Sequence, residues 1–299
     1  MSLAQSVISS ALWPLGSVAV LASLPTPSPK QSAAPAPAPR PFASLTEHVM
    51  MQVGCIPRLV LVYLIYQHYG DWRTYGKTLS PAWVLPILLR DVGVCLFVGC
   101  VDSFLLLSQF SPFKARMAPH KYNPRYPNLL TRNGTSSLAR EAFWCCVSAC
   151  IAGLMEAGVV HASATGRLRA AYAGDAWWLD ARTWLLMVTW FYSQNVQFYL
   201  LHRSLHAWGT TTVPDIGAFL YKHVHSLHHD SKSPTAFSGI SMHPLESTLY
   251  FSYALFPLLF GGHLVAFLYI KLNLISAAML CVRGQGWNVC PSCGRGARP

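Results

Sequence analysis

Histidine is concentrated in one short part of this sequence. Seven of the twelve histidines fall between positions 202 and 243, where a random distribution over 299 residues would place one or two. They form three groups: His202-Arg-Ser-Leu-His206, His223-Val-His225-Ser-Leu-His228-His229 and His243-Pro-Leu-Glu246. Neutral imidazole is a good ligand for iron, zinc, copper and nickel. The pattern therefore predicts a metal centre.

The spacing within two of these groups would bring imidazoles together on helices. Residues four apart on an α-helix lie about 40° apart around its axis and one turn apart along it. His202 and His206 would therefore point the same way, and the next group would form a fan about 100° wide. Two such patches that face one another would present five ligands to one cavity. These five are His202, His206, His225, His228 and His229.

The other histidines of the stretch are weaker ligand candidates. His223 is two residues from His225 and would face away from it on a helix. His243 precedes a proline, which favours an extended or turn conformation. Metal-bound histidines usually donate a second hydrogen bond that orients the ring. Candidate partners for such bonds are Glu246, Asp230 and Asn195.

The composition is that of an integral membrane protein. Only 11% of the residues are charged and 53% are hydrophobic, whereas an average soluble domain has about 25% charged residues. The net charge of +11 comes from basic residues in one loop and at segment ends, which indicates contact with anionic lipid rather than nucleic acid. Most of the nine cysteines lie in apolar segments, where a thiol acts as a small hydrophobic group and predicts no disulfide framework.

Several apolar segments have about the 20 residues that are needed to cross a bilayer. They lie at about residues 50–68, 82–110, 142–160 and 183–201, with a final region at 247–282 that is long enough for a hairpin. Arg90, Asp91 and Glu156 interrupt these segments. Ionisable groups at membrane depth either face the interior of a bundle or reach toward the membrane surface. The sequence leaves both alternatives open.

Together these features predict an all-α fold, a polytopic membrane bundle with a histidine-rich cap on its cytosolic side. Basic residues without any acid in 111–140 place that loop in the cytosol by the positive-inside rule, and the histidines emerge on the same side. The predicted parts are an apolar leader or membrane segment (1–24), a disordered Pro/Ala-rich linker (25–48), the membrane domain (49–280) and an atypical, disordered tail (281–299).

The run from His202 to Glu246 resembles the fatty acid hydroxylase / sterol desaturase superfamily of membrane-bound di-iron enzymes, closest to its sterol desaturase-like branch. The resemblance rests on the order of His202-x-x-x-His206, His225-x-x-His228-His229 and His243-Pro-Leu-Glu246, and it covers about residues 183–280. Of these histidines, the five named above match family ligand positions, and His243 matches a motif position only.

The resemblance implies a chemistry and its partners. It implies two iron ions, molecular oxygen as co-substrate, and electrons from NAD(P)H through a cytochrome b5 or ferredoxin-type donor. The reaction would be hydroxylation or desaturation of a sterol, a fatty acyl chain or a related lipid within the bilayer. The chain has no nucleotide-binding glycine motif of its own, which agrees with an external donor. The expected location is the endoplasmic reticulum, with a plastid membrane as the alternative.

The sequence departs from this family after its last apolar region. Family members carry a further histidine cluster there that ends His-x-x-His-His, whereas no histidine follows His263 in this sequence. We therefore expect a longer form that continues past residue 280 into such a cluster, and we interpret the tail as foreign to the fold. Cys290-x-x-Cys293 in the tail is half of a zinc site, and one such pair is a weak signal.

Two other interpretations fit the same histidines. A membrane protein that binds or transports zinc would use the five ligands without a further cluster, and its metal binding would not depend on oxygen. A non-catalytic relative would keep the fold and lose the centre. A zinc peptidase is disfavoured because the sequence contains no His-Glu-x-x-His.

Overall fold

The computed structural model describes residues 45–107, 134–168, 176–210, 213–230 and 235–280. Within these ranges every regular element is a helix and no strand occurs, which confirms the all-α prediction. The predicted leader, most of the linker and the tail lie outside the described residues. The first described helix begins at Leu45, inside the segment predicted to be linker.

Five long helices correspond to the predicted apolar segments. They are α1 (Leu45–His68), α3 (Pro81–Leu107), α4 (Gly134–Ala164), α5 (Ala181–Ser204) and α10 (Leu264–Leu280), with the short helix α2 (Trp72–Tyr75) after α1. Two of these helices, α3 and α5, begin with a side-chain cap. Ser80 precedes Pro81 and its hydroxyl accepts the amide of Ala82 at 3.3 Å, and Asp180 accepts the amide of Arg182 at 3.3 Å. Both caps satisfy backbone donors that a helix start leaves unpaired.

The histidine-rich part consists of short helices between α5 and α10. In chain order these are α6 (Ile216–Leu220), a π-helical turn (Tyr221–His225), α7 (Ser226–His229), a 3-10 turn (Ser238–Ile240), α8 (Pro244–Phe251), a second 3-10 turn (Ser252–Leu255) and α9 (Phe256–Leu259). Gly261 and Gly262 lie between α9 and α10, and Gly261 has a φ of +70°. The final apolar region is therefore a series of short helices followed by α10 rather than two long spans.

Helix α10 forms the centre of the described core. Every side chain from Leu264 to Ser276 is buried, and the helix packs against α1, α5 and the 3-10 turn at Ser238–Ile240. A helix that is apolar on all sides is stable only when neighbours surround it. The other described elements are thus arranged around α10, and the histidine-rich segment begins at the C-terminal end of α5.

Two of the described helices are long and apolar enough to cross a bilayer. They contain the segments Pro81–Val101, with a mean hydropathy of 2.1, and Leu138–Ala164, with a mean hydropathy of 1.8. The apolar part of α10, Leu264–Ser276, is shorter. The predicted spans in α1 and α5 form helices, but their position relative to a membrane stays a prediction.

The ionisable residues inside these segments face the interior of the bundle. Asp91 is 5% exposed and Glu156 is 0% exposed, and both pair with Arg90. Of the two alternatives that the sequence left open, the interior position is the one found.

Candidate metal centre

The first pair of predicted ligands lies at the end of α5. His202 is in the last turn of the helix, Leu205 is the C-cap, and His206 follows directly. The Nε2 atoms of His202 and His206 are 3.1 Å apart, so the predicted convergence of this pair is found even though the helix ends between them.

The position of His206 depends on the loop that follows it. Asp215 accepts the amides of Trp208 at 2.9 Å and Gly209 at 2.7 Å, and it also caps α6 through the amide of Ala218 at 2.9 Å. These backbone donors hold the pKa of Asp215 below its usual value. One carboxylate thereby ties the segment after His206 to the start of the helix that leads to the next histidines.

Gly217 allows these two segments to touch. A β-carbon at this position would lie 2.2 Å from the carbonyl oxygen of His206 and 2.5 Å from the ring of Trp208. Real β-carbons do not approach neighbouring atoms so closely. Sequence reasoning missed both Gly217 and Asp215, because their role is a tertiary contact that no local pattern announces.

The second group of histidines spans the π-helical turn and α7. π-helical turns inside α-helices occur often at functional sites. The turn ends at His225, and His229 follows one α-helical turn later with its Nε2 atom 2.9 Å from Nε2 of His225. The ring of His225 lies edge-on to that of His202, with 4.5 Å between centroids. The two groups therefore face one another as predicted.

Four of the five predicted ligands meet at one point. One nitrogen from each of His202, His206, His225 and His229 lies within 4.8 Å of the others. His225 is fully buried, at 0% exposure. Two nitrogens bound to one ion at about 2.1 Å can be at most about 4.2 Å apart, so the four rings would have to move closer together to share a single metal.

The environment keeps these imidazoles neutral. Burial, followed by repulsion from the neighbouring histidines, lowers the pKa of His202 to about 3 and that of His229 to about 3. Burial alone lowers the pKa of His225 to about 4, and the pKa of His206 is lowered as well, mainly by burial. A neutral imidazole retains the lone pair that a metal needs.

Glu246 supports the cluster from behind. Nδ1 of His225 donates to Oε1 of Glu246 at 2.7 Å, and this bond leaves Nε2 of the same ring facing the other histidines. The carboxyl group is 4% exposed, and burial raises its pKa to about 7. Glu246 was one of three residues predicted to orient a ligand. Of the other two, Asp230 pairs with Arg140 at 3.2 Å, and Asn195 lies about 10 Å before His202 along α5.

His228 does not join the group of four. On α7 it lies on the other side of His225 from His229, and its ring is 5.8 Å from that of His225. Its Nδ1 atom is buried and has no hydrogen-bond partner among the residues that the structure covers. The expectation that all five rings share one cavity is thus met by four rings, with His228 next to them.

The weaker candidates lie where their local sequence suggested. His223 is exposed on the π-helical turn and its ring packs on Phe219 at 4.6 Å, away from the cluster. His243 has an extended backbone, with ψ at 146°, and caps α8 by accepting the amide of Leu245 at 3.2 Å. The observed contacts of both residues are structural.

A buried carboxylate that the sequence did not predict lies next to this region. Glu141, on α4, is 1% exposed and accepts the hydroxyls of Thr235 at 2.6 Å and Ser238 at 2.7 Å. It fixes the turn that leads into His243 and α8. The sequence signal is an acidic residue directly before the apolar segment predicted at 142–160, because a carboxylate that packs next to such a segment needs a partner.

The residues present fit a bound transition metal. The donors are four neutral imidazole nitrogens, a set that suits iron, zinc, copper or nickel. Two buried polar atoms beside them, Nδ1 of His228 and Oε2 of Glu246, have no partner in the described part of the chain. Buried polar atoms are seldom left unpaired, so a ligand in this position would satisfy groups that the protein alone does not.

The fold and the site together define a class: an apolar helical protein in which four histidines converge in an arrangement that could hold a metal ion. Residues 186–287 match the sequence model of the family described as Fatty acid hydroxylase. This segment contains all four clustered histidines, His228 and Glu246. It extends seven residues beyond the domain boundary predicted at residue 280.

A curated relative supports the same assignment. Over 90 residues, or 29% of the chain, the sequence is 30% identical to lathosterol oxidase from Rattus norvegicus. The match spans 27% of the length of that protein. No solved structure matches the chain at a significant level. The two sequence matches confirm the predicted resemblance to the fatty acid hydroxylase / sterol desaturase superfamily.

Proposed function

We propose that this chain is a membrane-embedded, iron-dependent lipid oxidoreductase, a hydroxylase or desaturase that uses molecular oxygen and external electrons. The observation that carries the proposal is the convergence of four neutral imidazoles inside the segment that matches the fatty acid hydroxylase model. Sterols are the first substrate class to test because the curated relative is a lathosterol oxidase; fatty acyl chains and related lipids are the next.

In this proposal each residue of the site has a definite role. His202, His206, His225 and His229 hold the metal, and His228 is a further ligand beside them. Glu246 holds the ring of His225 with its Nε2 lone pair toward the metal. When bound, iron supplies the activation of dioxygen that attack on an unactivated C–H bond requires. The protein supplies fixed, neutral ligands and a buried site that limits the access of water.

The surface of α5 suggests how a lipid reaches the site. Four exposed residues lie along one side of α5, the helix whose last turn contains His202: Leu185, Val188, Val196 and Tyr199. Such a stripe is compatible with contact to lipid chains in a polytopic bundle whose histidine-rich cap faces the cytosol. A substrate in the bilayer could then follow α5 to the centre without crossing water.

The electron donor would approach from the cap. Arg203 and Lys222 are exposed on the two segments that carry the histidines. Cationic side chains around a redox site favour association with an acidic protein, and a cytochrome b5 or ferredoxin-type donor, reduced by NAD(P)H, is the partner that we propose. The location proposed for this chemistry is the endoplasmic reticulum, with a plastid membrane as the alternative.

Metal analysis of the full chain in lipid nanodiscs tests the proposal. Iron should co-purify with the wild type and should be lost when His225 and His229 are both changed to Ala. His223→Ala is the matched control, because it removes an exposed histidine of the same segment that faces away from the cluster. Unchanged iron content in the double variant would contradict the assignment.

The same preparation distinguishes an iron-dependent oxidoreductase from a zinc-binding protein. The all-nitrogen donor set suits zinc as well as iron. Oxygen consumption with a chemical reductant, and hydroxylated or desaturated products after incubation with sterol-containing or acyl-lipid nanodiscs, would support the oxidoreductase. Zinc at full occupancy, with no oxygen consumption, would support the zinc-binding alternative.

A further inference from the structure

A closed ring of alternating charges lies in the bundle, well away from the histidines. Arg90 donates to Oδ1 of Asp91 through Nε at 2.9 Å and Nη2 at 2.7 Å, and Nη2 also reaches both oxygens of Glu156 at 2.7 Å. Nζ of Lys271 donates to both Asp91 and Glu156. Each carboxylate is therefore shared by both cations. Glu156 lies fifteen residues, or about 22 Å, along α4 from Glu141 at the histidine end.

The ring of four charged groups is buried, and its formal charges cancel. Asp91, Glu156 and Lys271 are each 5% exposed or less, and the Arg90 side chain is 8% exposed. The hydroxyl of Tyr69, which follows α1, also donates to Glu156. A buried charge without a partner is strongly destabilising, so the helices that contribute these groups are held where the ring can close.

Lys271 fixes the position of α10 along its own axis, which the other residues of the helix do not specify. It is the only charged residue of this helix, and the side chains around it are buried on all sides. A slip of one turn, about 5.4 Å, would still place mostly apolar side chains against apolar neighbours. It would, however, remove Lys271 from both carboxylates. Buried polar groups are best known for this role of fixing register.

A short series of contacts connects α10 to the histidines. Tyr250, on α8, donates its hydroxyl to the carbonyl of Leu274 at 3.0 Å. Leu274 is three residues from Lys271, and Tyr250 is one helical turn after Glu246, which holds His225.

The same tyrosine also contacts the other side of the cluster. Its ring meets that of Phe198 edge-on at 5.9 Å, and Phe198 lies 5.5 Å from the ring of His202. Tyr250 therefore touches the supports of both histidine groups, and its own position depends on α10.

We propose that the charge ring sets the position of α10, and that α10, through Tyr250, places the imidazoles of His202 and His225 for metal binding. Arg90, Asp91, Glu156, Lys271 and Tyr250 are thus positioning residues for a centre that they do not touch. This inference rests on the proposed function, because it requires that the histidine cluster binds a metal.

The test is a mutant cycle on the full chain in nanodiscs, with Co(II) binding as the readout. Lys271→Met combined with Asp91→Asn removes one cation and one anion and leaves the Arg90–Glu156 pair, so that no net charge remains buried. Tyr250→Phe removes the hydroxyl that donates to the carbonyl of Leu274 and keeps the aromatic ring. We expect each change to weaken Co(II) binding by about tenfold, the scale seen when groups behind metal ligands are lost. The combined variant should bind Co(II) about as tightly as the weaker-binding of the two variants, because both changes act through one contact.

Tyr253→Phe is the matched control for Tyr250→Phe. It removes another buried tyrosine hydroxyl, which donates to the carbonyl of Trp190 at 2.9 Å and also contacts the hydroxyl of Ser193. Both partners lie on α5, more than two helical turns before His202. Co(II) affinity should be unchanged in this variant, and Lys271→Arg, which keeps the charge, should stay closer to wild type than the neutral pair.

Three outcomes would overturn the inference. They are wild-type Co(II) affinity in Tyr250→Phe, wild-type affinity in a folded neutral-pair variant, or losses that multiply in the combination. The Tyr250→Phe result decides the matter if the neutral pair does not fold. A wild-type chain that binds no Co(II) or iron would overturn the proposed function itself, and that result is distinguishable from the three above.

Discussion

Glu246 and His225 are joined by a buried hydrogen bond of 2.7 Å although 21 residues separate them in the chain. The bond fixes which nitrogen of His225 faces the other three histidines. It also brings α8 against the π-helical turn, so that a local ring orientation and the packing of two segments depend on the same contact.

Glu246→Leu should lower the affinity of the site for Fe(II) or Co(II) about 10- to 100-fold, because the ring of His225 loses the partner that orients it. Isothermal titration with each metal measures the change. Glu246→Gln keeps an oxygen that can accept the bond, and it should therefore lose less. Equal losses in the two variants would contradict an orienting role.

Gly217→Ala should displace His206 and reduce metal binding while the protein still folds. The added β-carbon would lie 2.2 Å from the carbonyl of His206, and the backbone must move to relieve that contact. Gly158→Ala is the control, because a β-carbon on this helical glycine meets nothing within 4 Å. Metal content of the two purified variants, measured side by side, checks the prediction. Full occupancy in Gly217→Ala would refute it.

Acidification should destabilise the metal-free protein between about pH 6.5 and pH 3. The pKa values of His202 and His229 fall to about 3 in the folded state and that of His225 to about 4, from 6.5. Unfolding therefore takes up protons in this window, and the stability present above pH 6.5 is lost as the pH decreases. Glu246 acts in the opposite direction, since its raised pKa of about 7 adds stability as the pH falls from 7 toward 4.5.

The three histidines outnumber the single glutamate, so the melting temperature should decrease toward low pH. Thermal melts of the metal-free chain at several pH values measure this slope. His229→Ala should make the slope shallower, because it removes one of the imidazoles with a lowered pKa. A slope that is the same in the wild type and the variant would contradict the assignment.

Glu141→Ala should lower the free energy of unfolding by about 3 kcal/mol, because two buried hydroxyls lose a charged acceptor. Glu141→Gln retains one acceptor oxygen and should cost less. The exposed ion pair of the neighbouring Arg140 with Asp230 provides the contrast, since Arg140→Ala should cost about 0.5 kcal/mol or less. Denaturant titration in mixed micelles compares the three. An equal effect of Glu141→Ala and Arg140→Ala would show that the buried bonds contribute little.

The sequence predicted the parts of the site that follow from spacing along one helix. His202 and His206 are four residues apart, as are His225 and His229, and both pairs converge as expected. Glu246 was one of three candidate partners, with Asp230 and Asn195, and spacing along the sequence did not distinguish among them. His228 was expected with the others, but the turn that aligns His225 with His229 leaves it to one side.

The contacts that hold the pairs together were not predictable in the same way. Asp215, Gly217 and Glu141 act through segments that are distant in sequence, and their residue types are common in loops and helix ends. The π-helical turn at Tyr221–His225 has no simple sequence signature either. The positions of Arg90, Asp91 and Glu156 were left open because a charged residue in an apolar segment is equally compatible with a partner inside and with the membrane surface.

Helix α10 occupies the middle of the bundle and yet is synthesised after every other described helix. Glu156 and Asp91 precede Lys271 by more than a hundred residues, so during translation two carboxylates share only one cation until α10 emerges. We therefore expect the earlier helices to leave space for α10 until it has been synthesised, so that packing of α10 is the last step of assembly. A ribosome-arrested chain that stops before residue 264 should accordingly be far more sensitive to protease than one that includes α10.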